Sequence, residues 1–223
     1  MGTSVDIRRG PAAARYPAEH EAEVALRDGS MVHLRPITAD DESALTDFLA
    51  GLSLRSRAFR FFGAGTRPVV AARAAVRVDY RDSFGLVALS RGRIVGHAMY
   101  VRCKPDAVEV AFAVADELQG KGLGTAMLAQ IAAAAAANGF ETLEADVLPA
   151  NHRMLDVFSE SGFPLEIRAE PGVVHLRTRL ALVEPHGRIA AFLIELSGEI
   201  PQMRAFGIAR DERGRRVGDR DRR

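Results

Sequence analysis

Three glycines at alternate positions, Gly120, Gly122 and Gly124, separate an apolar run, Val108 to Val114, from an alanine-rich stretch that continues to Asn138. A strand that breaks into glycines and then starts a helix gathers several backbone N–H groups around one point, and the positive end of the helix dipole aims there too. Such a turn binds phosphate, and absent side chains let a pyrophosphate come close to the backbone. Spacing narrows the choice. A P-loop needs two glycines five apart with Lys-Ser/Thr after the second, and a dinucleotide-binding turn needs G-x-G-x-x-G; neither order is present. What is present is Gln-x-x-Gly-x-Gly, within Gln119-Gly120-Lys121-Gly122-Leu123-Gly124-Thr125. The bland alternative is a glycine-rich strand–helix turn with no ligand.

Glu109 is the acid embedded in the apolar run that leads to this turn. Strand alternation puts Glu109, Ala111 and Ala113 on one face and Val110, Phe112 and Val114 on the other. The small alanines leave a channel beside the carboxylate. Partly desolvated there, it would have a raised pKa suited to a general base near neutral pH. The bland alternative is a strand-start glutamate facing solvent. Asp116 and Glu117 enter the loop itself and are expected to point to solvent. His97 and His152 have no partner at metal-ligand spacing, so no metal is expected. Cys103, at the end of a strand, is expected to pack inertly.

The elements that must position these residues can be read from periodicity and punctuation. Residues 1–22 carry no apolar period and read as a mobile tail. Val24 to Leu26 and Met31 to Leu34 flank Arg27-Asp28-Gly29-Ser30, a hairpin signal. Pro36 ends the second strand, and Thr38 caps a helix with Asp40, Asp41 and Glu42 in its first turn, followed by Leu45, Phe48, Leu49 and Leu52 at helical spacing. Helices are expected over Ser53 to Phe62, closed by Gly63, and over Val69 to Val78. Strands follow at Phe84 to Ser90, Arg93 to Arg102 and Val108 to Val114. The glycine turn and a helix from Leu123 to Asn138 come next, closed by Gly139. Strand Thr142 to Val147, helix Asn151 to Ser161, and a hairpin of Phe163 to Ile167 with Val173 to Leu180 complete the series. The expected fold is α/β (α+β), a mixed, mostly antiparallel sheet of about six to seven strands flanked by helices over residues 23–182. Residues 183–223 read as an extension: a short apolar helix over Ile189 to Leu196, then a basic disordered tail, Arg204 to Arg223.

The 223-residue chain is 48% hydrophobic, with a formal net charge of +1. That balance gives no reason to expect nucleic acid as a partner. No window approaches a membrane span and the N-terminus is no signal peptide. A single cysteine fits a reducing, cytoplasmic setting.

The order of these elements, with Gln119-x-x-Gly122-x-Gly124 at the strand–helix junction, resembles the GNAT superfamily of N-acetyltransferases from about Val32 to Leu182. The resemblance implies an acetyl-CoA-dependent enzyme whose loop, Gln119 to Thr125, holds the cofactor pyrophosphate. It implies that the strand bearing Phe112, Ala113 and Val114 splays from its neighbour, leaving N–H groups near Ala113 to Ala115 for the carbonyl oxygen and pantetheine. It also implies that Glu109 is the general base. Asn151 would hydrogen-bond the pantetheine arm, although a plain N-cap explains it equally well. One departure stands out. Asn151 to Phe163 resembles the second motif of the superfamily, but Phe158 stands where many members carry a tyrosine that protonates the leaving thiolate. A thiol pKa near 8.5 lets the thiolate leave without that proton.

His33-Leu34-Arg35-Pro36-Ile37, Asp40-Asp41, Leu52 to Arg57 and Phe61-Phe62 resemble bacterial protein-lysine acetyltransferases of the Pat type. That implies a protein lysine as acceptor, on an acyl-CoA synthetase for example. Too few residues flank the domain for the regulatory domains of that branch, so a stand-alone version is expected. The nearest rival acceptor is a small amine, held in an acidic pocket of Asp79, Asp82 and Glu109. A non-catalytic acetyl-CoA-binding module is a further alternative, favoured by a surface-facing Glu109. The oligomeric state is not legible.

Overall fold

The computed structural model describes residues 15–63 and 65–180. Both the short helix and the basic tail expected beyond residue 182 lie outside the described residues, as does most of the expected N-terminal tail.

Eight strands form one sheet, one or two more than expected, in the order β1-β2-β3-β4-β5-β6-β8-β7. In chain order the elements are β1 (Ala22–Ala25), β2 (Met31–Pro36), α1 (Glu42–Gly51), α2 (Leu54–Phe61), α3 (Pro68–Ala75), β3 (Ser83–Ser90), β4 (Arg93–Lys104), β5 (Ala107–Val114), α4 (Leu123–Ala137), β6 (Thr142–Val147), α5 (His152–Ser159), β7 (Leu165–Glu170) and β8 (Val173–Arg179). All pairings are antiparallel except β5 with β6. A parallel pair needs a crossover between its strands, and α4 supplies it.

The domain begins earlier than the sequence suggests. His20 lies in a short 3-10 turn, Ala18–His20, where its ring is buried edge-on against Phe84. Tyr16 donates to Glu21 and packs against Tyr80. The C-terminal hairpin is displaced: β7 runs through Glu170, and the turn is carried by Pro171 and Gly172 alone.

Two helical layers cover the sheet. On one face α4 and α5 pack on Leu34, Phe84, Tyr100, Val110 and Phe112; on the other, α1 and α3 bury Leu45, Leu49, Ala72 and Ala75 against Ile37, Val87 and Ala113. Helix α4 is buried almost all round, from Leu123 to Ala135, because alanine lets it lie close to the strands. A Cβ at Gly96 would sit 3.2 Å from Met127 Sδ and 3.3 Å from Leu123 Cδ2, so this glycine sets the approach of α4. Each fully buried leucine or isoleucine, such as Leu128 and Ile131, contributes about 1.5–3 kcal/mol relative to exposure.

Candidate active site

The parallel pairing of β5 with β6 is short. It covers Ala107↔Thr142, Val108↔Leu143 and Glu109↔Glu144, while β5 stays paired with β4 as far as Gly96↔Val114. Past Glu109 the two central strands therefore diverge, as expected. Antiparallel ladders alternate the direction of successive N–H groups. Ala115 N–H donates to Val95 O at 2.8 Å, so Ala113 N–H also faces β4. The groups that face the gap are the N–H groups of Phe112 and Val114. Of the N–H groups expected to be free near Ala113 to Ala115, that of Val114 faces the gap, while those of Ala113 and Ala115 are turned to β4.

At the end of β5 the loop cavity, about 270 Å³, lies under the glycine turn. Of the residues expected at a cofactor site, Phe112, Ala113, Val114, Gln119, Gly120, Gly122, Gly124, Thr125 and Asn151 line it. The side chains of Lys121 and Leu123 do not: Lys121 Nζ pairs with Asp28 at 2.9 Å, and Leu123 is buried in the core. Only their backbone can serve a ligand. Gly120 and Gly122 have φ of 77° and 97°, a region that disfavours any side chain. Gly124 is different, because its Cβ would meet only Val157 Cγ2 at 3.4 Å, an ordinary contact. Its missing side chain keeps the cavity open rather than the fold intact.

The turn is braced from three sides. Arg27, in the β1–β2 turn, donates its N–H to Lys121 O at 3.0 Å and its Nη1 to Gly120 O at 3.5 Å. Gln119 Nε2 donates to Val114 O at 3.1 Å and to Ser56 Oγ at 3.0 Å, while its Oε1 accepts from Arg153. Asp116 is exposed, as expected, and it also accepts from Ser53 N–H, Ser53 Oγ and Ser56 Oγ at 3.0, 2.8 and 2.6 Å. It thereby ties the N-terminus of α2 to the loop. Burial acts to raise the Asp116 carboxyl, but the bonds from Ser53 and Ser56 hold it below the usual carboxylate range. Arg27, Ser56 and Arg153 also line the cavity, and sequence reading missed all three. The one signal available was Ser53-x-x-Ser56 at a helix start. Asn151 is the N-cap of α5, its Oδ1 accepting from Met154 N–H at 3.4 Å, and it also reaches the cavity.

A strand cavity of about 290 Å³ adjoins the first, and the two share Phe59, Phe112, Asn151 and Met154. Glu109 and Ala111 line it, on the face that alternation assigned them. Glu109 is exposed, not desolvated, because β5 and β6 part beside it. Phe158 lines the same cavity, buried edge-on against Phe112 with a centroid separation of 6.3 Å. The acidic pocket expected for a small cationic acceptor does not form: Asp79 is turned onto Ser83 and Arg81 N–H, and Asp82 pairs with Arg102 at 3.1 Å. Neither lines a cavity with Glu109. Cys103 is exposed rather than packed; partial desolvation of its thiol and the nearby Glu144 raise its pKa, which disfavours the reactive thiolate.

Behind Glu109 the same sheet face carries charged and polar groups under α1 and α2. Arg35 forms a fork on Asp41, at 2.8 and 2.6 Å, and Asp41 also accepts from Thr38 N–H at 2.8 Å. His97 is fully buried with neither ring nitrogen bonded, and desolvation, with Arg60 nearby, pushes its pKa down to about 3. Arg60 reaches from α2 to Met99 Sδ at 3.5 Å.

The acetyltransferase (GNAT) family model matches residues 53–163, which span α2, the glycine turn and α5. Acetyltransferase PA5475 of Pseudomonas aeruginosa is 31% identical over 170 residues, 73% of this chain and 90% of that protein. Acetyltransferase Pat of Mycolicibacterium smegmatis is 29% identical over 156 residues, and the chain spans 46% of that protein's length. Among solved structures, the GNAT domain of S. lividans Pat superposes with a TM-score of 0.68 at 36% identity, covering 74% of this chain and 99% of that one. The family-model match and the 31% identity over 90% of the Pseudomonas protein's length make the chain a member of the GNAT acetyltransferase family and an acetyl-CoA-dependent N-acetyltransferase.

Proposed function

We propose that this enzyme acetylates a lysine ε-amine of a partner protein, with Glu109 as general base. The observation that carries the reading is the junction of the two cavities. Glu109 stands in the strand cavity, the glycine turn closes the loop cavity, and Phe112, Asn151 and Met154 belong to both. A phosphate chain at the turn would direct a pantetheine arm along the gap between β5 and β6, toward the wall that holds Glu109. Likeness to Pat proteins supports a protein acceptor, and so does the apolar rim: Phe62 lines the strand cavity while 44% exposed.

Bound acetyl-CoA would supply an acetyl group activated as a thioester. The chain's own residues do the rest. The N–H groups of Phe112 and Val114 face the gap and suit an oxygen that gains negative charge as the amine attacks. A lysine is almost wholly protonated at pH 7. Glu109 accepts the ammonium proton and, being exposed, passes it on to water. Phe158 has no proton to give, so the sulfur leaves as thiolate.

Glu109→Gln keeps the shape and removes the base. It should lower turnover on a protein substrate by roughly 10²–10⁴-fold, while calorimetry finds acetyl-CoA affinity unchanged. Thiol release measured with a protein panel and a small-amine panel tests the acceptor. Near-normal turnover of the variant would move the base elsewhere, and activity confined to small amines would overturn the protein-lysine reading.

A further inference from the structure

Arg60 lines the strand cavity together with Glu109, but the two form no ion pair. Its guanidinium offers five donors. Among the described residues its contacts are the Met99 thioether at 3.5 Å and the Phe61 ring, whose centroid lies 5.1 Å away. Its Nε is buried with no hydrogen-bond partner among the described residues. A thioether is a weak acceptor, and a guanidinium held partly out of water without an anion on it is unfavourable. Desolvation accordingly pushes its pKa down to about 10, against the opposing pull of Glu109. The other charged residue of the cavity, Asp146, is already matched by His175 Nδ1 at 2.6 Å. The cavity therefore presents one exposed carboxylate, Glu109, and one guanidinium that has no ion pair among the described residues.

We propose that Arg60 is an anion anchor for the acceptor, so that the favoured acceptor amine carries a carboxylate close by. The inference rests on the reading that the strand cavity receives the acceptor. The ammonium would turn toward Glu109 and the carboxylate would accept a fork from Arg60, a geometry that a lysine at position 60 could not reproduce. The carboxylate can come from an acidic side chain beside the target lysine of a protein, or from a small amino acid.

Matched acceptors separate these cases with the intact enzyme. The first pair is two lysine peptides differing by one neighbouring glutamate or glutamine. The second is free lysine against lysine amide. The glutamate-flanked peptide should show kcat/KM about tenfold or more above its twin, the scale of one charge-assisted hydrogen bond. Arg60→Gln should shrink that ratio to within about twofold while calorimetry shows acetyl-CoA affinity retained. Should Arg60→Gln not fold, the wild-type ratios alone decide. Acetylation of neither peptide, with free lysine favoured over lysine amide, would overturn the protein acceptor and keep the anchor. Equal rates within both pairs, or no acetylation of any acceptor by enzyme that binds acetyl-CoA, would overturn the anchor.

Discussion

The two cavities sit side by side along β5 and are built on opposite terms. Around the loop cavity nearly every polar group near the turn has a partner: Asp116 takes three bonds from α2, Gln119 is held at both ends of its amide, and Arg27 fastens two loop carbonyls. Around the strand cavity the charges are left open. Glu109 is exposed, and among the described residues Arg60 has a thioether for company and no ion-pair partner. A satisfied network rigidifies; an unsatisfied one awaits a partner or stores strain. On the proposed reading, the difference gives preorganisation to the side that would meet the co-substrate and leaves selectivity to the side that would meet the acceptor.

That contrast can be broken by experiment. Acid should strike the acceptor side first. His97 is neutral when folded, with its pKa depressed from about 6.5 to about 3. Its contribution is therefore present above pH 6.5 and is lost as pH falls through the window between those values. From pH 7 to pH 5 the loss is about 2 kcal/mol. Urea titrations at the two pH values should show it, and His97→Leu should flatten the difference. An unchanged pH slope in that variant would place the acid sensitivity elsewhere. On the loop side, replacing Gly122 and Gly124 with valine should weaken acetyl-CoA binding well over tenfold, about 1.4 kcal/mol or more. Calorimetry on a folded double variant that keeps full affinity would sink the assignment of the turn. The smallest effect is expected from Asp116→Asn, which keeps the volume and removes the charge. Asp116 is exposed, so its loss should be at most about 1 kcal/mol of stability, detectable as a lower urea midpoint, and the wild-type advantage should fade progressively as pH falls below about 4, because a carboxyl held below its usual range stabilises only while ionised.

Much of the fold was legible because punctuation and period agreed. Thr142 to Val147 was bounded by Gly139 and Pro149 and formed as read, and α2 lies between its cap Ser53 and the left-handed pair Phe62-Gly63. The face carrying Glu109 followed from alternation alone. Its exposure did not, since that depends on where β6 stops pairing, a property of two strands and not one. Arg60 was silent for a related reason: among Arg55, Arg57 and Arg60, sequence spacing cannot tell which guanidinium turns inward. Lys121 and Leu123 sit inside the motif, yet the helix start directs one side chain to the hairpin and the other to the core.

The contact between Arg27 and the glycine turn joins groups 93 residues apart in the chain. Closing so long a span is governed by chain entropy that grows only slowly with length but must be met before the contact rewards it. Nothing local to Gly120 and Lys121 can substitute for it. If the turn holds acetyl-CoA as proposed, loosening of the N-terminal hairpin and loss of acetyl-CoA affinity are one linked equilibrium. Whatever detaches the edge strand β1 would also loosen the glycine turn, and acetyl-CoA bound there would in turn hold the hairpin down.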